Sequence, residues 1–530
     1  MSSQDASLAG HPPGWVWTLA FFLYLGVGLV LIYHFHYFAA DALSRVANAY
    51  YVLFSRDPHL GAIGFIWNPL PSLLALPMTI LHPWVPDVVS RGVAGVVVSA
   101  AFGALGLRAL YDLVGRLGLP PALRWGATAL YALNPLVVLY GANGMTDLML
   151  ATCDLGAVNG VMGYVTTREL RYVIRAALWL MVGFGVRYEA IPLTVGLMAG
   201  LAGALWGRVP ARQVQGALIL LAAPIGWAAG VWIYFNWAIM KNPLYFLKSD
   251  YGNLAQIATG AYGSHPLAAA KHSLLGTLSY LGHFTLLFWP LLPALVVALA
   301  LSFGRWRDPR APVLVGATVG AVGLEAAFLY LGHLGQWDRY FLPNIPNGLL
   351  LTAFAAGQLR TRLPSRRGWR SALGVAFLLA VLSADVGTVK TLETPGWGYP
   401  DGAVLAQLAR GEVGTQDPFT SVTPVVQWVN RHPHVTILAD TFTDWPVVIR
   451  ADHPRQFIVT SDYAFRAILQ NPRGRVDAIL VPKPTGIAAL NAVNRQWPGL
   501  WAGQEPWATL IRAFPGSSGW RLYTVGPNAP

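Results

Sequence analysis

From Trp15 to His34 the chain reads WVWTLAFFLYLGVGLVLIYH, without one Asp, Glu, Lys or Arg. A helix of about 20 such residues is as long as a bilayer core is thick, and apolar runs of this length recur along the sequence. Of the 530 residues, 55% are hydrophobic and 11% charged, whereas a soluble protein carries roughly a quarter charged residues. The predicted class is a multi-pass α-helical membrane protein. The formal net charge of +12 does not argue for nucleic acid, because much of the Arg lies in short loops between runs. That is the positive-inside pattern, a statement about topology. The single cysteine, Cys153, can form no internal disulfide.

About eleven spans are expected. The first lacks a basic n-region and a cleavage site, so it reads as a retained anchor. A second runs from Val88 to Val114 and a third from Trp125 to Tyr140, followed by the polar break GANGMTD (Gly141–Asp147) and a fourth to Tyr164. Spans five and six flank VRYEA (Val186–Ala190), and the seventh reaches Trp237. The eighth ends at Arg305, Arg307 and Arg310, and the ninth at Tyr330. The tenth ends in the basic stretch Arg360–Arg370, and the eleventh covers Leu373 to Val389. With the Arg-rich loops in the cytoplasm, the N-terminus is inside and the C-terminus outside. The tail Met1–Pro13 has no Lys or Arg while the first outer loop has Arg45 and Arg56, which pulls the other way. The later, shorter loops decide. Residues 1–390 thus form the membrane domain, with a long first extracytoplasmic loop over 35–87.

That first loop is too polar to be a span. Asp41, Arg45 and Asn48 recur at helical spacing, and Leu43, Val46, Ala47 and Tyr50 fall mostly on the opposite face, as in a helix lying on a membrane surface. A segment with Trp67, Asn68, Pro69, Pro71 and Pro77 returns to the bilayer. Two readings of Asp41 stand open: a helix N-cap, or an ionisable group placed to meet a lipid headgroup and a soluble substrate together.

Residues 391–530 have a soluble texture. Strand-like runs at Val435–Asp440, Phe457–Thr460, Ala478–Val481 and Leu522–Val525 alternate with helical stretches at Pro424–Arg431, Tyr463–Gln470 and Gly486–Gln496. That alternation predicts a small extracytoplasmic α/β domain with some parallel pairing. No glycine-rich fingerprint follows a strand, so no nucleotide cofactor is expected.

Polar groups gather in the outer loops: Asp41 and Arg45, then Asp147, then Arg187, Tyr188 and Glu189. Lys248, Asp250 and Tyr251 follow span seven, and His333, Trp337, Asp338, Arg339 and Tyr340 follow span nine. Each has a plain structural reading as a cap, a solvated pair or an interfacial aromatic belt. Together they put carboxylates and cations at four outer mouths. Asp154 and Glu325 lie at span depth, where a carboxylate is costly. A structural polar contact is favoured over an ion pathway for both.

The stretches HYFAADALSR, NPLVVLYGANGMTD, GFGVRYEAIPL, NPLYFLKSDY and WDRYFLPNIP resemble those of the GT-C superfamily of integral-membrane glycosyltransferases, over roughly Trp15 to Val389. The resemblance implies a polyprenyl-phosphate-linked sugar donor, a glycan, lipid or protein acceptor, and inverting transfer of one sugar on the extracytoplasmic side. It makes Asp41 the base and Arg339 the first choice for the donor phosphate. Arg187, Lys248 and Arg45 are alternatives, Asp147 and Glu189 would bind sugar hydroxyls or hold the cations, and Trp337, Tyr340, Tyr251 and His333 would complete the donor site. The chain departs from members with an Asp-Asp or Asp-Glu pair in the first loop, since Ala42 follows Asp41, and it lacks a WWD-type motif. No metal is therefore indicated, and transfer of a whole oligosaccharide is not expected. The alternative is a transporter or lipid flippase with a soluble gating domain, for which no internal repeat is found.

Overall fold

The computed structural model describes residues 12–261, 263–303, 308–362, 367–394, 397, 401–414, 417–514 and 519–527. Arg305, Arg307, most of the N-terminal tail and the middle of the Arg360–Arg370 stretch lie outside these residues. The chain forms two compact units. One comprises residues 1–30, 99–232 and 264–412; the other comprises 31–98, 233–263 and 413–530.

Among the described residues, six helices are long and apolar enough to cross a membrane, or up to eight if each bent pair is one span. This is a multi-pass helical membrane protein. The expected eleven spans also count three helices that fall short of that measure. Leu170–Val186 has 17 residues and Ala190–Leu205 has 16. Asn344–Arg362 carries Asn344, Asn347, Gln358, Arg360 and Arg362. Two expected spans are bent. The third breaks by 65° between Pro121–Leu133 and Pro135–Ala142, because a residue before proline is driven out of the helical region. Asn134 there caps the second piece through Leu136 N–H at 3.1 Å, and its amide donates to Asp385 at 2.8 Å and to Thr388 at 3.0 Å. The eighth bends by 101° between Leu274–Phe288 and Leu291–Ser302, with Pro290 in the break.

Within the first unit, Ala190–Leu205 packs on Arg310–Ala321 at backbone contact. A Cβ added to Gly196 would lie 2.2 Å from the Gly316 carbonyl oxygen. The helix Asp147–Thr167 is buried along nearly its whole length. Its Asp154 accepts a hydrogen bond from Asn347 at 2.8 Å.

The second unit contains the first-loop helix Ala40–Phe54, packed on the helix Leu70–Thr79. It also contains a five-stranded sheet. The strands are β1 (Ile437–Ala439), β2 (Phe457–Val459), β3 (Ala478–Pro482), β4 (Ala508–Phe514) and β5 (Trp520–Val525), in the order β2-β1-β3-β5-β4. β1 lies parallel to β2 (Leu438 opposite Ile458) and to β3 (Leu438 opposite Ile479). β5 runs antiparallel to β3 and to β4. Leu438, Ile458, Ile479, Val481, Phe465 and Val493 form its core. β4 was not expected from the sequence: as an edge strand it exposes most of its residues, so it shows no apolar run. The helix Thr441–Val448 was also missed; it begins where Asp440 caps it by accepting from Phe442 N–H at 2.9 Å.

Candidate functional site

In the first unit several of the polar residues between the apolar helices form an ionic cluster. The break before Asp147 is held by Ser99, whose hydroxyl donates to the Gly141 carbonyl and accepts from Gly144 N–H, both at 3.1 Å. Gly144 takes a φ of 79° there, a conformation that glycine adopts at no steric cost. Asp147 then opens its helix, where the dipole favours a carboxylate. Its Oδ1 accepts from Arg187 Nη1 at 2.8 Å. Arg187 also donates from Nε to Glu189 at 2.9 Å, from Nη2 to the same Glu189 oxygen, and from Nη1 to the Thr146 hydroxyl at 3.4 Å. Burial works against the Arg187 charge, but Asp147 and Glu189 outweigh it and hold the guanidinium above its ordinary pKa.

Arg339 Nε lies 3.9 Å from the same Asp147 oxygen. Its guanidinium carbon sits 5.3 Å from the Trp337 ring and 5.8 Å from that of Tyr340, and the Arg187 guanidinium lies 5.3 Å from the Tyr340 ring. Cations over aromatic faces are stabilised by the ring quadrupole. Six of the sequence candidates, Asp147, Arg187, Glu189, Arg339, Trp337 and Tyr340, thus share one environment. His333 is exposed, its ring 6.3 Å from that of Phe328.

The sequence reading missed Asp401. Tyr140 donates its hydroxyl to Asp401 Oδ1 at 2.8 Å. Burial pushes the Asp401 carboxyl up to about 6, against the Tyr140 hydrogen bond and the nearby Arg339 charge. Nothing local marks Asp401: its partner is 261 residues away. Asp147 Oδ2 and Asp401 Oδ2 are buried without a hydrogen-bond partner among the described residues. Buried acceptors are seldom left so, and a hydroxyl-bearing ligand suits them. The guanidiniums beside them suit phosphate oxygens.

The other candidates belong to the second unit. Asp41 is not the N-cap of its helix. Ala39 is, and no side chain caps it. Asp41 sits half-buried in the first turn. Arg45 Nη1 donates to the Asp41 carbonyl at 3.4 Å, and the Arg45 guanidinium lies 4.5 Å from the Trp67 ring. Lys248 is exposed at the end of the short helix Tyr245–Lys248. Tyr251 donates its hydroxyl to Asp440 at 3.1 Å. Burial, then the Asp440 charge, raises the Tyr251 phenol. No group of three or more His, Cys, Asp or Glu among the described residues is placed to hold a metal ion.

Long apolar helices, two of the expected spans broken by a bend, a buried ionic cluster and an α/β sheet define the class: a polytopic membrane protein. No family model and no curated protein match the sequence. Solved structures do. ArnT from Cupriavidus metallidurans in the apo state is 13% identical, with a TM-score of 0.55 over 96% of this chain and 97% of that one. The same protein bound to undecaprenyl phosphate is 14% identical, with a TM-score of 0.50 over 96% of this chain and 98% of that one. The fold expected from the sequence resemblance is the fold observed.

Proposed function

We propose that the protein is a glycosyltransferase that moves a single sugar, with inversion, from a polyprenyl-phosphate donor to a lipid, glycan or protein acceptor. The observation that carries this reading is the buried cluster of Asp147, Arg187, Glu189, Arg339 and Asp401. It pairs phosphate-binding guanidiniums with acceptors for sugar hydroxyls, on a fold shared with a protein solved with undecaprenyl phosphate. The leaving group is a lipid phosphate, and the charge it develops needs fixed cations. Arg339 is proposed for that role, because a guanidinium can bind phosphate oxygens bidentately. Trp337, Tyr340, Lys248, Arg45, Tyr251 and His333 complete the proposed donor set.

Asp41 is the proposed base. It takes the proton from an acceptor hydroxyl as that oxygen attacks the anomeric carbon and the bond to the phosphate oxygen breaks. No metal is assigned to the step. About eleven crossings are proposed, with the N-terminus in the cytoplasm and residues 391–530 outside the cell membrane.

The test is incubation of the purified protein with radiolabelled polyprenyl-phosphate sugars and candidate acceptors. Asp41→Asn should lower turnover roughly a thousandfold, the scale of a lost general base, while donor binding persists. Near-normal turnover removes Asp41 from the mechanism. Arg339→Ala should chiefly weaken donor use, and unchanged donor kinetics exclude it as the phosphate partner. Movement of the labelled lipid across vesicles without transfer would instead establish the transporter reading.

A further inference from the structure

The structure assigns the C-terminal α/β domain a positioning role: the crevice of its parallel strands clamps the first loop and thereby fixes the helix that carries Asp41. Open α/β sheets bind ligands outside the carboxyl ends of their parallel strands, where connections diverge to either side. Here β1 has β2 on one flank and β3 on the other, so that place lies beyond Ala439 and Val459. It is filled by this chain's own loops.

Two carboxylates are held rigidly at the strand ends. Asp440, after β1, accepts from Phe442 N–H at 2.9 Å, from Ala492 N–H at 2.5 Å and from the Thr460 hydroxyl at 2.8 Å. Asp462, after β2, accepts from Val459 N–H at 2.8 Å. Each reserves an acceptor for a distant segment. Asp462 Oδ1 receives Asp57 N–H at 3.3 Å, across 405 positions of sequence. Asp440 Oδ2 receives the Tyr251 hydroxyl. Beside Asp462, His59 Nε2 lies 3.1 Å from the Ser461 carbonyl, which only a protonated ring nitrogen can satisfy. The His59 ring stacks on Tyr463 at 4.3 Å and 20°. Arg495 pairs with Asp250 and lies 5.3 Å from the Tyr251 ring, fastening the second loop to the same edge.

Asp57 and His59 follow directly on the end of the helix Ala40–Phe54. Anchoring them fixes that end, and Tyr51 from the same helix is buried, within electrostatic range of Asp444, Asp462 and Asp440. Asp462 and His59 are positioning residues: they touch neither sugar nor phosphate and act by holding the helix. The part of this inference that concerns turnover rests on Asp41 being the base; the part that concerns the helix does not.

The experiment compares the full-length protein with Asp462→Ala, Asp462→Asn and His59→Ala in detergent. Hydrogen exchange is followed over residues 40–54, and initial rates are followed as the polyprenyl-phosphate sugar is varied. Loss of the anchor should speed exchange of helix 40–54 by roughly tenfold while the buried helix Asp147–Thr167 exchanges as before. It should lower kcat at unchanged donor KM. Asp462→Asn, which keeps one acceptor oxygen, should recover part of both. Should Asp462→Ala fail to fold, His59→Ala reads the same contact from the loop side. Unchanged exchange over 40–54 in both Asp462→Ala and His59→Ala overturns the clamp, as does a loss of protection spread equally over the whole chain. If the unaltered protein transfers no sugar, the glycosyltransferase reading fails while the exchange measurement still decides the clamp.

Discussion

Two groups of buried carboxylates in this protein are satisfied in opposite ways. In the α/β domain, Asp440 accepts from two backbone N–H groups and two hydroxyls, and Asp462 from two backbone N–H groups. In the helical unit, Asp147 accepts through one oxygen from Arg187, with Arg339 nearby, and Asp401 from Tyr140. Backbone donors cannot rotate away, so a carboxylate they saturate has a structural job. Long side chains can exchange partners, and a carboxylate held mainly by these, with an oxygen to spare, can meet a substrate. The difference separates scaffold from candidate site without appeal to which residue types are present, since the carboxylates compared are all aspartates.

The strongest way to break this contrast is to remove the cation that the helical unit depends on. Arg187→Ala leaves Asp147 and Glu189 buried beside each other with less compensation, and should cost about 3–5 kcal/mol of stability, as for other broken buried ion pairs. Denaturant unfolding in micelles measures it. A loss under about 1 kcal/mol, the scale of an exposed pair, would mean that water reaches the cluster freely.

A smaller effect follows from Asp401. Its carboxyl is raised from 3.8 to about 6 by burial, so the folded state favours the protonated form. The associated stability is full below pH 3.8, falls as pH rises towards 6, and is constant beyond. The total is about 3 kcal/mol at 1.36 kcal/mol per pKa unit. Asp440, Asp444 and Asp462 are also raised by burial and add slopes of the same sign. Asp401→Asn isolates its own share by difference, because the amide oxygen still accepts from Tyr140. Parallel stability curves for the two proteins between pH 4 and 7 would show that the Asp401 carboxyl is solvated.

How much of this was legible in the sequence depends on the range of the interaction that fixes each feature. Spans follow from local apolar runs, and β1, β2, β3 and β5 lie within the runs read as strands or overlap them closely. The grouping of Asp147, Arg187, Glu189, Arg339 and Tyr340 was partly legible, because charged and aromatic residues recur together in the breaks between apolar runs. What failed was set by long-range or single-position geometry. The cap at Ala39 in place of Asp41 turns on a shift of two residues in the helix start. The bend at Asn134–Pro135 carries a local signal, yet the apolar run continues through it. Asp401 acquires its role from Tyr140 and Arg339, which no local pattern connects to it.

The smallest predicted effect sharpens the contrast within the α/β unit itself, using two tyrosines that approach the same acidic group. The Tyr251 hydroxyl reaches Asp440, so Tyr251→Phe removes a hydrogen bond to a carboxylate and should cost about 2 kcal/mol. The Tyr51 hydroxyl is buried with no hydrogen-bond partner among the described residues, although Asp444, Asp462 and Asp440 lie around it. A desolvated hydroxyl that gains nothing in return is a cost, so Tyr51→Phe should be neutral or stabilising by up to about 1 kcal/mol. Thermal unfolding of both variants gives the comparison. If Tyr51→Phe lowers Tm as far as Tyr251→Phe does, the Tyr51 hydroxyl does find one of those carboxylates in solution.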